Sequence, residues 1–188
     1  MRRCFDELGM YGVMVPTKIA GNYLDEPEFK LFWDEFVPTG KPLFLHPTNA
    51  PCTPNWNIYS LHQKMLWPAD STLAISRIVY SGVFDRYPNL RVVIRSGGGG
   101  IPLLLNKLFW KHKGPSGESR YSEILLEHFL VDTASVNART LQFLTDTLGS
   151  DRVVFGSDYC GGLGPLHKAL VAVGAQPGPT AITSITES

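Results

Sequence analysis

The chain has 188 residues, 44% of them hydrophobic and 18% charged, a make-up that supports one ordinary globular domain with a sizeable core. Lys plus Arg and Asp plus Glu are balanced at 17 each, which excludes a global field for nucleic acid or an anionic membrane and favours a small, locally recognised ligand. Cys4, Cys52 and Cys160 are widely spaced and form no CxxC pair, so neither a disulfide framework nor a thiolate zinc site is indicated and a reducing cytoplasm is the expected compartment. The apolar stretches fall short of the roughly 20 residues that cross a bilayer, and Met1-Arg2-Arg3-Cys4 leads into acidic residues instead of an apolar signal core.

In chain order, Tyr11 to Val15 reads as a first strand. Glu28 to Val37 follows as a helix, with Phe29, Phe32, Trp33 and Phe36 at helical spacing and start signals at Asp25 and Pro27. Leu43 to Leu45 is the second strand, and a long connection then runs through Pro47, Pro51, Pro54 and Trp56. Helical spacing returns at Ile75, Ile78, Val79 and Val83 and closes at Tyr87-Pro88-Asn89. Val92 to Ile94 is the third strand, followed by the run Gly97 to Gly100 and a helix from Pro102 to about Lys111. Gly114 to Ser119 reads as a surface loop. Phe129 to Val131 is the fourth strand, the helix around Leu141, Leu144 and Leu148 comes next, Val153 to Phe155 is the fifth strand, and Leu166 to Val173 is a last helix. The expected domain is 1–173, with 174–188 as a frayed tail rich in Pro, Thr, Ser and Gly.

Short apolar runs bounded by Gly or Pro read as buried parallel strands, and the segments between their ends are long enough for right-handed crossovers. Four of them end in polar or ionisable residues: His46, Arg95-Ser96, Asp132 and Asp158. In α/β barrels the functional groups sit where such strands end. His46 and Asp158 stand out, because both types bind divalent metals.

The succession Leu45-His46-Pro47, Ser81-Gly82-Val83-Phe84-Asp85-Arg86-Tyr87-Pro88-Asn89-Leu90, Gly97-Gly98-Gly99-Gly100-Ile101-Pro102 and Arg152-Val153-Val154-Phe155-Gly156-Ser157-Asp158-Tyr159 resembles the amidohydrolase-related metal enzymes grouped with aminocarboxymuconate-semialdehyde decarboxylase. The resemblance runs from about Cys4 to His167. It implies an α/β fold, a partial TIM (β/α)8 barrel made of about the last five βα units, with parallel strands and outer helices. It also implies one divalent metal ion, zinc being the usual choice, with His46 and Asp158 as ligands. The implied chemistry is nonoxidative decarboxylation, or a related hydrolytic or hydration reaction, of small carboxylated, often aromatic-derived, substrates.

Two departures accompany the resemblance. The family's first strand carries a His-x-His pair that adds two ligands, and nothing here matches it; the chain reads as beginning midway round a barrel that in full takes eight strands and about 250 residues. Ser96 stands where the family places its acid/base His, and serine has no pKa near neutrality. Loss of carbon dioxide leaves a carbanion-like centre, so a cation, a proton donor and a carboxylate clamp are separate requirements. Arg95 and Arg77 are candidates for the clamp. Asp132 reads equally as a substrate-binding carboxylate or as an acceptor for backbone donors of the next loop, and Asp158 as a ligand or a helix cap. The run Gly97 to Gly100 lacks the spacing of a phosphate-binding loop and suggests tight strand-to-helix packing. The unpaired edges of an incomplete barrel favour a homodimer. The competing expectation is a noncatalytic remnant of the same fold.

Overall fold

The computed structural model describes residues 1–48, 58–108, 121–159, 166–172 and Gly174. Its centre is a five-stranded sheet of β1 (Val13–Pro16), β4 (Leu43–His46), β5 (Val92–Ile94), β6 (Phe129–Asp132) and β7 (Val153–Val154), side by side in chain order and all parallel. A small antiparallel hairpin, β2 (Lys18–Ile19) with β3 (Asn22–Tyr23), follows β1. The described helices are α1 (Lys30–Phe36), α2 (Trp67–Tyr80), α3 (Val83–Arg86), α4 (Ile101–Leu108), α5 (Tyr121–His128), α6 (Ala138–Leu148) and α7 (Leu166–Ala172). Parallel strands taken in sequence order, with helices between them, are the arc of a (β/α)8 barrel.

The period-2 alternation of a strand sorts the sheet into two faces. Val15, Leu43, Leu45, Val92, Ile94 and Phe129 turn outward and are buried in one cluster with Trp33 and Phe36 of α1 and Ile75, Ile78 and Val79 of α2. Each such side chain contributes about 1.5–3 kcal/mol by leaving water. A second, smaller cluster joins Val131 of β6 to Val136 and Leu144. The opposite, inner face is open toward β1: Met14 is 68% and Phe44 39% exposed, while Val93 of β5 is buried. His46 and Asp132 lie on this inner face, two residues beyond Phe44 and Leu130 respectively.

Several boundaries differ from the sequence expectation. The first strand runs 13–16, not 11–15, and Phe155 lies outside the ladder of the fifth. The helix expected over Glu28 to Val37 is α1 flanked by 3-10 turns at Pro27–Phe29 and Val37–Thr39. The long helix ending near Tyr87 is two, because Gly82 takes a left-handed φ of 72° between α2 and α3. The β2–β3 hairpin, α5 and the π-type turn Arg3–Glu7 were not anticipated. The helix from Pro102 is described as far as Leu108; Pro51, Cys52, Pro54, Trp56, the loop Gly114 to Ser119, Cys160 and the tail from residue 175 lie outside the described residues.

Candidate active site at the strand ends

Register assembles the site. The ladders pair Leu45 with Ile94 and Ile94 with Val131, so one residue further on His46, Arg95 and Asp132 share a layer at the carboxyl ends of three adjacent strands. Arg95 is two residues beyond Val93 and so falls on the same inner face. Its guanidinium reaches both ways: Nη1 donates to Nε2 of His46 at 3.1 Å, and Nη2 forms an ion pair with the carboxylate of Asp158. The two side chains of that pair are 16% and 18% exposed. The second nitrogen of His46, Nδ1, is 2.8 Å from the carbonyl oxygen of Pro47. A guanidinium only donates and a carbonyl only accepts, so Nδ1 carries the proton and Nε2 presents its lone pair to the site.

The turn after β5 is held under strain. Ser96 has φ 57°, ψ 49° and Gly97 φ 68°, and Asp158 (φ 50°) and Ser135 (φ 66°) are also left-handed. Such conformations are disfavoured for residues with a Cβ and persist where surrounding contacts determine them. Here the contact is Asp132: its Oδ1 accepts the backbone N–H of Ser96 at 2.7 Å and of Ala134 at 3.1 Å. Burial pushes the Asp132 carboxyl above the usual range, only partly opposed by those two N–H donors and the charge of Arg95. Gly156 packs directly on this carboxyl, where an added Cβ would stand 2.7 Å from its Cγ. Of the two sequence readings of Asp132, the backbone-acceptor role is the one with hydrogen bonds behind it.

The glycine run is packing, as expected. A Cβ at Gly98 would meet Val131 at 2.9 Å, and one at Gly99 would meet the carbonyl oxygen of Pro68 at 2.6 Å. The Gly100 N–H is accepted by Thr72 Oγ1 at 2.8 Å, and that hydroxyl donates to the Pro68 carbonyl at 2.7 Å. The end of β5 is thereby fastened to the start of α2.

A cavity of about 680 Å³ opens over these groups, lined among others by His46, Lys64, Trp67, Arg95, Ser96 and Asp158. The Trp67 ring stands edge-on to His46 with centroids 5.9 Å apart. A second cavity of about 220 Å³ lies on the inner face and touches Met14, Phe44, His46, Arg95, Asp132 and Asp158. The triad of His46, Arg95 and Asp158 borders both. Arg77 is elsewhere: it pairs with Asp25 at 2.7 Å and Glu26 at 3.1 Å and stacks over the Tyr23 ring. Those partners hold it away from the two cavities at the strand ends, so it is not a carboxylate clamp there.

Sequence reasoning missed a second polar cluster beside the site. Asp70, in the first turn of α2, accepts hydrogen bonds from Thr17 Oγ1 and Tyr23 (3.0 Å) and pairs with Lys18 at 2.8 Å. Burial alone would raise the Asp70 carboxyl, but bonds from Lys18, Thr17 and Tyr23 outweigh it and hold the group below its ordinary value. The signal was available: Thr17 and Lys18 directly follow β1, in the strand-end position that singled out His46.

Parallel strands in chain order whose polar end residues converge beneath a cavity define the class of fold: part of a (β/α)8 barrel, an architecture in which functional groups sit at the carboxyl ends of the strands. The chain belongs to the Amidohydrolase family, whose model matches residues 1–167. It is 32% identical over 180 residues to gamma-resorcylate decarboxylase of Rhodococcus jostii (strain RHA1), covering 85% of this chain and 54% of that protein. It is 29% identical over 175 residues to 2-amino-3-carboxymuconate-6-semialdehyde decarboxylase of Dictyostelium discoideum, covering 88% and 48%. The chain thus spans about half the length of these curated relatives. A solved dihydroxybenzoic acid decarboxylase from Polaromonas sp. JS666, with bound manganese and the inhibitor 2-nitroresorcinol, shares the fold with a TM-score of 0.76 at 22% identity, over 98% of this chain and 60% of that one.

Proposed function

We propose that this site serves the nonoxidative decarboxylation of a small carboxylated, aromatic-derived substrate, with His46 and Asp158 as two ligands of one divalent cation, zinc being the first to test. The observation that carries this reading is convergence: Nε2 of His46 and the Asp158 carboxylate reach the same positive group beneath the cavity. The curated relatives act on aromatic or muconate carboxylates, and the Polaromonas structure holds manganese.

The donor chemistry fits a divalent metal. His46 offers Nε2 while its Nδ1–H is held by a backbone carbonyl, the outer contact that orients a ligating imidazole. Two donors are fewer than the three or four of an ordinary catalytic zinc site, and no group of three His, Cys, Asp or Glu gathers among the described residues. Binding by this chain is expected to be weak. A bound metal would supply positive charge to the oxygen on which electrons collect as carbon dioxide leaves.

The remaining tasks fall to this chain's own side chains. A guanidinium has five N–H donors, so Arg95, once a metal holds His46 and Asp158, can turn its donors to a substrate carboxylate. Trp67 presents an aromatic wall for a ring. Ser96 can orient a substrate oxygen by hydrogen bonding, but it cannot deliver a proton to carbon at neutral pH without an activating partner. Metal content and zinc and manganese affinity, compared with His46→Ala and Asp158→Ala, test the reading. Metal uptake that both substitutions abolish supports it; no binding at millimolar metal refutes it.

A second reading, a noncatalytic remnant of the fold, is favoured by Ser96 at the acid's position and by the arginine lodged between the two ligand candidates. It predicts no thermal stabilisation by metal and no turnover, even by Ser96→His with metal present.

A further inference from the structure

We propose that Arg95 is the site's resident cation, occupying the point between His46 and Asp158 so that a divalent metal and the Arg95 guanidinium exclude one another there. This rests on the metal reading above and goes beyond it, because it assigns this chain a built-in competitor for its own metal.

Nε2 of His46 has one lone pair, and with Nδ1–H given to Pro47 that lone pair is the imidazole's only acceptor. It is taken up by Arg95 Nη1 at 3.1 Å. A metal cannot bind Nε2 until that N–H has left.

Arg95 brings a positive charge to the point between His46 and Asp158. A dication at the same point would face a neighbouring positive charge in a partly buried site, where repulsion is less screened than in water. Relief requires the side chain to swing away, and the 680 Å³ cavity that Arg95 lines provides the room. Conversely, Arg95 is what compensates Asp158 when no metal is present: with the carboxylate side chain 18% exposed, removal of its partner leaves a largely buried charge unpaired.

Register puts residue 95 on the inner face, in the layer between His46 and Asp132, so backbone geometry aims the side chain at this point. It is not a surface arginine that has folded over the site.

The test titrates manganese and zinc chlorides into the wild-type chain, Arg95→Met and Arg95→Lys by calorimetry, with thermal unfolding of each protein with and without metal. Arg95→Met keeps the bulk and removes the charge. It is expected to bind metal roughly tenfold tighter or more, the change that 1.4 kcal/mol of relieved competition produces. Without metal it should melt below wild type, and added metal should raise its melting temperature by more. A further His46→Ala substitution should abolish the gain. Arg95→Lys, shorter and without the fork, should also bind more tightly than wild type, and it carries the test if Arg95→Met does not fold. Equal or weaker binding by the Arg95 variants, with His46→Ala still abolishing metal uptake, overturns the exclusion and leaves the metal half-site standing. No uptake by wild type or by either variant at millimolar metal overturns the metal reading and this inference with it.

Discussion

Asp70 and Asp132 are carboxylates of the same fold whose environments drive them in opposite directions. Bonds from Lys18, Thr17 and Tyr23 overcome burial at Asp70 and hold its pKa low. Its contribution to stability is therefore present above the ordinary value near 4 and is lost as pH falls from there through the lowered folded value. Asp70→Asn should cost roughly 2–3 kcal/mol at pH 7, since it leaves Lys18 without its counter-charge in a buried setting. Urea unfolding at a series of pH values should show the gap between the two proteins shrinking below about pH 4. At Asp132 burial dominates and the folded pKa is raised. The sign reverses: the folded state holds the proton more tightly than the unfolded chain, so its favourable contribution is complete at low pH and is lost as pH rises through the raised folded value. Asp132→Asn, which mimics the protonated carboxyl and keeps an acceptor for Ser96, should gain stability relative to wild type between about pH 4 and neutrality. Unfolding midpoints that moved in parallel across that range would remove the argument.

Among the elements, the turn that joins β5 to α4 is the most constrained, and its glycines do different jobs. Gly97 supplies a left-handed φ beneath Leu144, while Gly99 combines φ 63° with ψ −125° and touches the Pro68 carbonyl of α2. A side chain at 99 meets both a conformation that only glycine adopts easily and backbone that cannot move aside. Gly99→Ala should destabilise by about 3 kcal/mol, read as a lowered urea midpoint, and should perturb metal or ligand binding through Arg95 and Ser96. The start of α6 provides a comparison away from the site. There Asn137 Oδ1 accepts the Thr140 N–H at 2.9 Å, and Asn137→Ala should cost only about 1 kcal/mol with no effect on the site.

At the scale of the whole molecule, the sheet has two unlike faces. The outer face is buried under helices, while Met14 and Phe44 of the inner face remain exposed and β1 and β7 each have a single neighbour in the described sheet. In a closed barrel such inner residues pack against one another. Left open, they form an apolar surface beside strand edges, the combination that promotes association. The isolated chain should bind an apolar dye and show a concentration-dependent mass in sedimentation. Phe44→Glu, which adds charge on the open face without touching the outer cluster, should reduce both. Unchanged dye binding and mass would mean that this surface is not what the chain presents to solvent. No described helix is long and apolar enough to cross a membrane.

Much of the architecture was legible because it is written in local pattern. Runs such as Val92-Val93-Ile94 and Leu43-Phe44-Leu45 are apolar at every position, as a strand with helices on one side and a barrel interior on the other requires, and their order and spacing sufficed for a parallel sheet in sequence. That His46, Arg95-Ser96 and Asp132 stand at strand ends was legible for the same reason: a polar residue closing an apolar run marks where a strand stops. What each does was not legible. Whether Arg95 meets a substrate, a ligand residue or solvent depends on register, which pairs Ile94 with Leu45 and Val131, and no spacing along the chain encodes that pairing. The same holds for Asp132 and Ser96, for Asp70 and Lys18, and for Arg77, which the fold turns toward Asp25 and Glu26. Sequence by itself determined the class of fold and the short list of groups at its mouth, because hydrophobic period and strand ends are local. Only the tertiary structure decided that an arginine stands between the histidine and the aspartate, because partners brought together by parallel pairing are tens of residues apart and charge complementarity acts through space.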